Sequence, residues 1–222
     1  MKALNQYSVA IFDCDGVILD SNKVKSEAFS LTLPDENSKL VDEFVKYHQE
    51  NGGISRYIKF EHFFRNIKKQ SNYVVDLKLA LSRYAALSKK GLLECSEIPG
   101  VRETLKCLKA LNIPCYVASG GDQQEVIEVF KRRGLAPYFD GVFGSPLSKI
   151  ENLAALKAED KLTGPGVFFG DARSDMEAAQ KYGLDFVYIS TKSEWSDGKV
   201  VTKEHGGYVM NDFGDLKYNA PR

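Results

Sequence analysis

The stretch VAIFDCDGVILDS, Val9 to Ser21, opens as an apolar run and then sets Asp13, Asp15 and Asp20 within a few residues of one another. A short apolar run bounded by turn residues reads as a strand buried on both faces, the kind found in parallel sheets. Negative charge gathered at the end of such a strand needs a reason, because neighbouring carboxylates repel one another. In an open parallel sheet ligands sit beyond the carboxyl ends of the strands, which makes these aspartates candidates for a site.

Working outward, similar runs recur at Cys115 to Ala118, Val142 to Gly144, Val167 to Phe169, Phe186 to Ile189 and Tyr208 to Met210. Helical patterns lie between them. Val101, Leu105, Leu108 and Leu111 share one helix face, Gln123 to Arg133 ends in a basic turn before Gly134, and Ile150 to Leu162 and Asp175 to Tyr182 continue the alternation. Strand and helix in repeated alternation predict an α/β fold with a doubly wound parallel sheet. The alternation fails between the first two strands. Residues from Asn22 to Cys95 read as helix throughout, with apolar residues at helical spacing in Val41-Phe44-Val45, Phe60-Phe63-Phe64-Ile67 and Leu77-Leu81-Tyr84-Leu87. The expected organisation is a core of residues 1–20 and 96–222 with a helical cap of residues 21–95, hinged near 20–22 and 94–99.

Lys+Arg and Asp+Glu each number 30 in 222 residues, so no net charge favours nucleic acid or an acidic membrane surface. Met1 to Tyr7 lacks the basic start and apolar stretch of a secretory signal, and no run approaches a membrane span, so a cytoplasmic location is expected. Cys14, Cys95, Cys107 and Cys115 lack paired metal-type spacing and read as free thiols.

Four strand ends carry complementary polar groups. The first offers Asp13 and Asp15, the second Ser119, Gly120 and Gly121, the third is followed by Lys149, and the fourth offers Asp171 and, four residues on, Asp175. Carboxylates brought together in this way suit a hard divalent cation such as Mg2+, with Asp13, Asp15, Asp171 and Asp175 as the candidate ligand set. Ser119 with the following amides and the positive Lys149 suit a phosphoryl group.

With these residues in place the chain resembles the haloacid dehalogenase superfamily, in its phosphatase and β-phosphoglucomutase branch with a helical cap after the first strand. The carriers are "FDCDGVILDS", "VASGG", "GSPLSK" and "GDARSD", in the family's order across nearly the whole chain. The resemblance implies that Asp13 is the nucleophile, forming an aspartyl-phosphate, and that Asp15 is general acid and then base. It implies magnesium on Asp13, the backbone carbonyl of Asp15 and Asp171, with Asp175 binding directly or through water, and Ser119 and Lys149 on the phosphoryl oxygens. Relatives commonly place the lysine directly before a proline, whereas here Ser145-Pro146 precedes Lys149. The leading expectation is a magnesium-dependent phosphatase acting on a small phosphorylated metabolite such as a sugar phosphate. A phosphomutase uses the same aspartyl-phosphate and differs only in the acceptor. A dehalogenase needs no magnesium and lacks the acid at the position of Asp15. A phospho-acceptor signalling module shares an aspartate, acidic ligands, a hydroxyl and a lysine, but lacks such a cap.

Outside these motifs, Asp20 is expected to fix the hinge or cap the next helix, and Cys14 to pack by strand alternation. In "NGGISRYIKF" a glycine pair precedes Arg56 and Lys59. Two readings stand side by side: a loop that covers the site, with Arg56 binding substrate, or a plain turn with solvated cations. His48, His62 and His205 lack metal spacing and are expected at the surface or partly packed. The segment 191–207, with Trp195, is expected to be simple surface rather than the rim of the site.

Overall fold

The computed structural model describes residues 1–216; the last residues of the expected core, 217–222, lie outside the described residues. Six parallel strands form one sheet in the order β3-β2-β1-β4-β5-β6. They are β1 (Val9–Phe12), β2 (Cys115–Asp122), β3 (Gly141–Ser145), β4 (Gly166–Gly170), β5 (Asp185–Ile189) and β6 (Tyr208–Met210). Each corresponds to one of the predicted runs. Strand β2 runs further than its apolar residues suggest, because a register shift between Ala118 and Asp122 lets it rejoin β3 at Ser145.

Side chains of β1 alternate between two apolar layers. Ala10 and Phe12 join Val117, Phe169 and Val187 against Leu105 and Leu108 of α5 (Val101–Ala110) and Val129 and Phe130 of α6 (Gln123–Arg132). Val9 and Ile11 join Phe168 and Phe186 on the opposite face, against Leu153 and Leu156 of α7 (Lys149–Ala158) and Ala178 and Ala179 of α8 (Arg173–Lys181). Burial on both faces is why these strands are apolar runs rather than alternating ones. Cys14 belongs to the first layer, as strand alternation predicts.

Between β1 and β2 the chain is helical: α1 (Asn22–Leu31), α2 (Ser38–Glu50), α3 (Arg56–His62) continuing into a π turn over Phe63–Ile67, and α4 (Val74–Glu94). These helices close around their own aromatic cluster, with Phe29, Phe44, Phe60, Phe63 and Tyr84 buried together. The connections into and out of this segment run side by side. Leu19 pairs antiparallel with Glu97, and the amide of Asp20 donates to the carbonyl of Ser96 (2.9 Å). Asp20 also pairs through its carboxylate with Lys192 (2.7 Å), so it stands where the chain enters the helical segment and does not cap α1. One element of the segment 191–207 escaped the sequence reading, the short helix α9 (Gly198–Glu204). No helix among the described residues is long and apolar enough to cross a membrane.

Candidate active site

The sheet order reverses between β1 and β4, which are adjacent strands although a long stretch of chain separates them. A crevice opens at such a switch point, and Asp13 after β1 and Asp171 after β4 stand on its two sides. The amide of Asp13 donates to the carbonyl of Phe169 (2.9 Å), fixing the end of one strand against the other. Asp175 arrives from the first turn of α8, where its Oδ2 accepts from the amides of Ala172 (3.0 Å) and Asp171 (3.2 Å) and so caps the helix. Oxygens of Asp13, Asp171 and Asp175 lie within 4.8 Å of one another, and all three residues are buried.

Lys149 is placed by α7, whose N-cap Ser148 exchanges hydrogen bonds with Glu151 in a capping box. Its Nζ lies 2.9 Å from Asp13 Oδ2 and donates to Asp175 Oδ1 in a short contact. Two of the three carboxylates therefore share one buried lysine. Burial pushes Asp13 up to about 7 despite Lys149, with Asp175 and Asp15 adding to the rise. Burial and the charges of Asp13 and Asp175 also push Asp171 well above the usual carboxylate range. For Lys149 burial acts downward, but Asp13 and Asp175 outweigh it and hold the ammonium above its ordinary value. Such a donor set, rich in hard oxygens and short of positive charge, fits a divalent cation.

The carboxylate of Asp15 stands apart from this triad. It accepts from Ser21 Oγ (2.6 Å) and pairs with Lys25 Nζ of α1 (2.5 Å). Burial raises Asp15, but Lys25 and then Ser21 outweigh it, so the carboxyl is held below its ordinary value. Ser119, at the end of the apolar part of β2, is buried, and its hydroxyl accepts the amide of Gly121 (3.0 Å). Gly120 and Gly121, rather than that hydroxyl, line the cavity above the carboxylates, which has a volume of about 190 Å³.

The far wall of the cavity comes from the helical segment. The carbonyl of Gly52 accepts from Ser174 Oγ (3.0 Å). Gly53 has φ +76°, and a Cβ there would stand 2.2 Å from Ser174 Oγ and 2.9 Å from Lys149 Nζ. A Cβ on Gly120 would stand 2.1 Å from the carbonyl oxygen of Gly53. The glycine pair thus brings the loop down onto the site.

A family model described as haloacid dehalogenase-like hydrolase matches residues 10–189. The chain belongs to this family. Membership sets aside the signalling-module alternative. Among haloacid dehalogenase-like relatives, a phosphorylated carbohydrates phosphatase of Thermotoga maritima is 26% identical over 203 residues, covering 86% of this chain and 88% of that protein. A phosphoglycolate phosphatase of Pseudomonas savastanoi is 28% identical over 124 residues, covering 53% of this chain and 45% of that protein. Solved structures share the fold. CbbY of Rhodobacter sphaeroides, in complex with phosphate, has a TM-score of 0.69 at 19% identity, over 96% of this chain and 98% of that one. The haloacid dehalogenase-like hydrolase YfnB of Bacillus subtilis, bound to magnesium, has a TM-score of 0.67 at 18% identity, over 95% and 97%.

In this haloacid dehalogenase-like chain several cavity residues depart from the sequence reading. Arg56 lines the cavity, but its guanidinium is neither solvated nor free: it pairs with Glu125 of α6 through both nitrogens (2.5 and 3.1 Å) and lies over the Tyr84 ring. His48 is buried rather than superficial and packs at a tilt against Phe29, whereas His62 stacks on Tyr47 and His205 is exposed. Residues Glu194 to Asp197 form part of the rim, so the expectation of simple surface fails there. Glu194 holds Ser26 Oγ (3.0 Å) and Gln49 Nε2 (3.2 Å) of the helical segment, and Trp195 meets Tyr188 edge to face. The sequence reading missed Asn22, whose Nδ2 donates to Asp171 Oδ2 (2.6 Å), and Lys25. A signal for Lys25 existed: it falls three and four residues before Ala28 and Phe29, on the buried face of α1, where a lysine without a partner would be costly.

Proposed function

We propose that the chain is a magnesium-dependent phosphatase that hydrolyses a small phosphorylated metabolite by way of an aspartyl-phosphate on Asp13. The observation that carries this reading is Lys149 bridging Asp13 and Asp175 beside Asp171 at the switch point of the sheet. Asp13, Asp171, Asp175 and the Asp15 carbonyl would hold the cation. When bound, magnesium supplies positive charge that offsets these carboxylates and the phosphoryl oxygens.

Asp13 attacks phosphorus in line, and Lys149 with the Ser119–Gly121 turn takes the charge of the equatorial oxygens. Asp15 protonates the departing alkoxide and afterwards takes a proton from the water that cleaves the acyl phosphate. Paired with Lys25, Asp15 is in its ionised form, which suits the second step. The first step needs Asp15 protonated and its contact with Lys25 relaxed. Residues 21–95 act as a cap over a core of residues 1–20 and 96–216, excluding bulk water while the acyl phosphate exists. The similarity to a phosphorylated carbohydrates phosphatase and to phosphoglycolate phosphatases supports a small organic phosphate as substrate.

The test uses Asp15→Asn with p-nitrophenyl phosphate, whose leaving group needs no proton. The variant should phosphorylate Asp13, release one equivalent of nitrophenolate in a burst and stall. Acid quenching and mass spectrometry should find one phosphoryl group on the peptide holding Asp13; steady turnover as fast as the unaltered protein would sink the assignment. Release of inorganic phosphate, rather than an isomerised sugar phosphate, separates phosphatase from phosphomutase.

A further inference from the structure

Lys59 is a buried cation that the reaction above does not use. It lines the cavity from α3 and is 2% exposed. Its neighbours in the same wall each have an anion: Lys25 has Asp15 and Arg56 has Glu125. Among the described residues no carboxylate comes within ion-pair distance of Lys59. Its Nζ instead meets His48 Nδ1 (2.7 Å) and donates to the carbonyl of His48 (3.3 Å). An ammonium has three N–H donors, so one remains for a ligand.

His48 adds a second observation. With Nδ1 accepting from Lys59, the neutral ring carries its proton on Nε2, and this buried N–H has no acceptor among the described residues. A buried donor without an acceptor forfeits its hydration with nothing in return. Burial, with Lys25 second, pushes Lys59 down to about 7, and burial with Lys59 keeps His48 well below its ordinary value. Both shifts fit a buried cation that touches no carboxylate among the described residues. Asp15 is the larger acidic influence on Lys59 and Glu194 the next, but Asp15 is paired with Lys25, and Glu194 is engaged at the rim by Ser26 and Gln49.

We propose that Lys59, held in place by His48, is the receptor for a second anionic group of the substrate, and that this group is the carboxylate of a short phosphorylated hydroxy acid. The inference rests on the phosphatase reading for its phosphoryl end and on the cavity for its other end. A space of about 190 Å³ holds a phosphoryl group and only a few further atoms. A carboxylate fits there more readily than a second phosphate on a sugar. Its oxygens take the third proton of Lys59, and His48, whose Nε2 proton lacks an acceptor among the described residues, stands in the same wall of the cavity.

The experiment measures binding by calorimetry and turnover separately, on the full chain with magnesium. The probes are 2-phosphoglycolate, its neutral counterpart 2-hydroxyethyl phosphate, and ethylene glycol bisphosphate. The unaltered protein should bind 2-phosphoglycolate more tightly than 2-hydroxyethyl phosphate by roughly 10- to 100-fold, the range of one or two hydrogen bonds to a charged group. Lys59→Met, which keeps an unbranched side chain of similar reach beside the Phe29 ring over which the ammonium lies (5.6 Å), should erase that preference, and His48→Gln should reduce it. Retained binding of 2-hydroxyethyl phosphate by either variant reports that it is folded. Equal affinity for the charged and neutral probes in the unaltered protein would overturn the subsite, as would a preference that survives Lys59→Met. A Lys59-dependent preference for the bisphosphate over 2-phosphoglycolate would overturn the carboxylate assignment. Discrimination in binding without release of phosphate from any probe would leave the subsite standing and defeat the phosphatase reading instead.

Discussion

Asp13 shows what burial does to a single group. Its carboxyl is pushed up to about 7 in the metal-free protein, burial being the largest cause. A group whose folded value lies above its unfolded one contributes stability below the unfolded value, and that contribution is lost as pH rises through the folded one. The metal-free protein should therefore lose stability between about pH 4 and 7 through this residue, and Asp171 acts in the same direction. Magnesium competes with those protons, so its gain in melting temperature should be larger at pH 8 than at pH 5. An equal gain at both would show that these carboxylates do not bind the ion. Asp13→Asn preserves shape while removing the nucleophile, and turnover of p-nitrophenyl phosphate should fall on the order of 10⁴-fold or more, as when other enzymes lose a nucleophile.

At the scale of elements, the approach of the Gly52-Gly53 loop to β2 is the feature most open to test. Gly120 has no room for a methyl group, because the Gly53 carbonyl would lie 2.1 Å from it. Backbone cannot step aside as a flexible side chain can, so Gly120→Ala should hold the loop away from the sheet. The expected result is a kcat/KM lowered by about 10- to 100-fold, since small displacements at a reacting centre carry costs of that size. Circular dichroism should remain native, because the sheet itself is unchanged. Unaltered kinetics would mean that the loop need not meet β2 for turnover. The four motifs lie at strand ends because apolar runs of this length specify buried strands, and so their common location was legible in the sequence. The partners of Arg56 were not, since Glu125 is far away in the chain and on a different element.

Across the whole molecule, the helical segment is tied to the sheet body by separate groups of contacts on two sides. On one side Arg56 pairs with Glu125, Tyr57 donates to Asp122 (2.8 Å), Ser88 donates to Glu125 (3.0 Å) and Lys89 pairs with Glu128 (2.6 Å). On the other, Lys25 reaches Asp15, and Ser26 and Gln49 reach Glu194. The Arg56–Glu125 pair is buried at both ends, so removing one partner strands the other. Arg56→Met should cost about 3–5 kcal/mol in urea denaturation, whereas Arg56→Met with Glu125→Gln should cost less than Arg56→Met alone. Strictly additive losses would show that the two do not act as a pair.

The α/β alternation, the six strands, the helical stretch between β1 and β2 and the four polar strand ends are determined by local pattern: apolar run length, helical spacing and turn chemistry are properties of neighbouring residues. Asp13, Asp15, Lys149, Asp171 and Asp175 could be picked out for the same reason, because a parallel sheet carries every strand end to one edge. Tertiary structure alone decided which charges meet. Lys25 turns to Asp15, Arg56 to Glu125 and Asn22 to Asp171, while Lys59 meets His48 and, among the described residues, no carboxylate. A lysine on an amphipathic helix reads as solvated until packing buries it, and the partner that makes burial tolerable comes from a distant part of the chain. The rim at Glu194 to Asp197 was illegible for a related reason: its residues are polar and irregular, and only the position of α1 and α2 above the sheet turns that loop into a wall of the site.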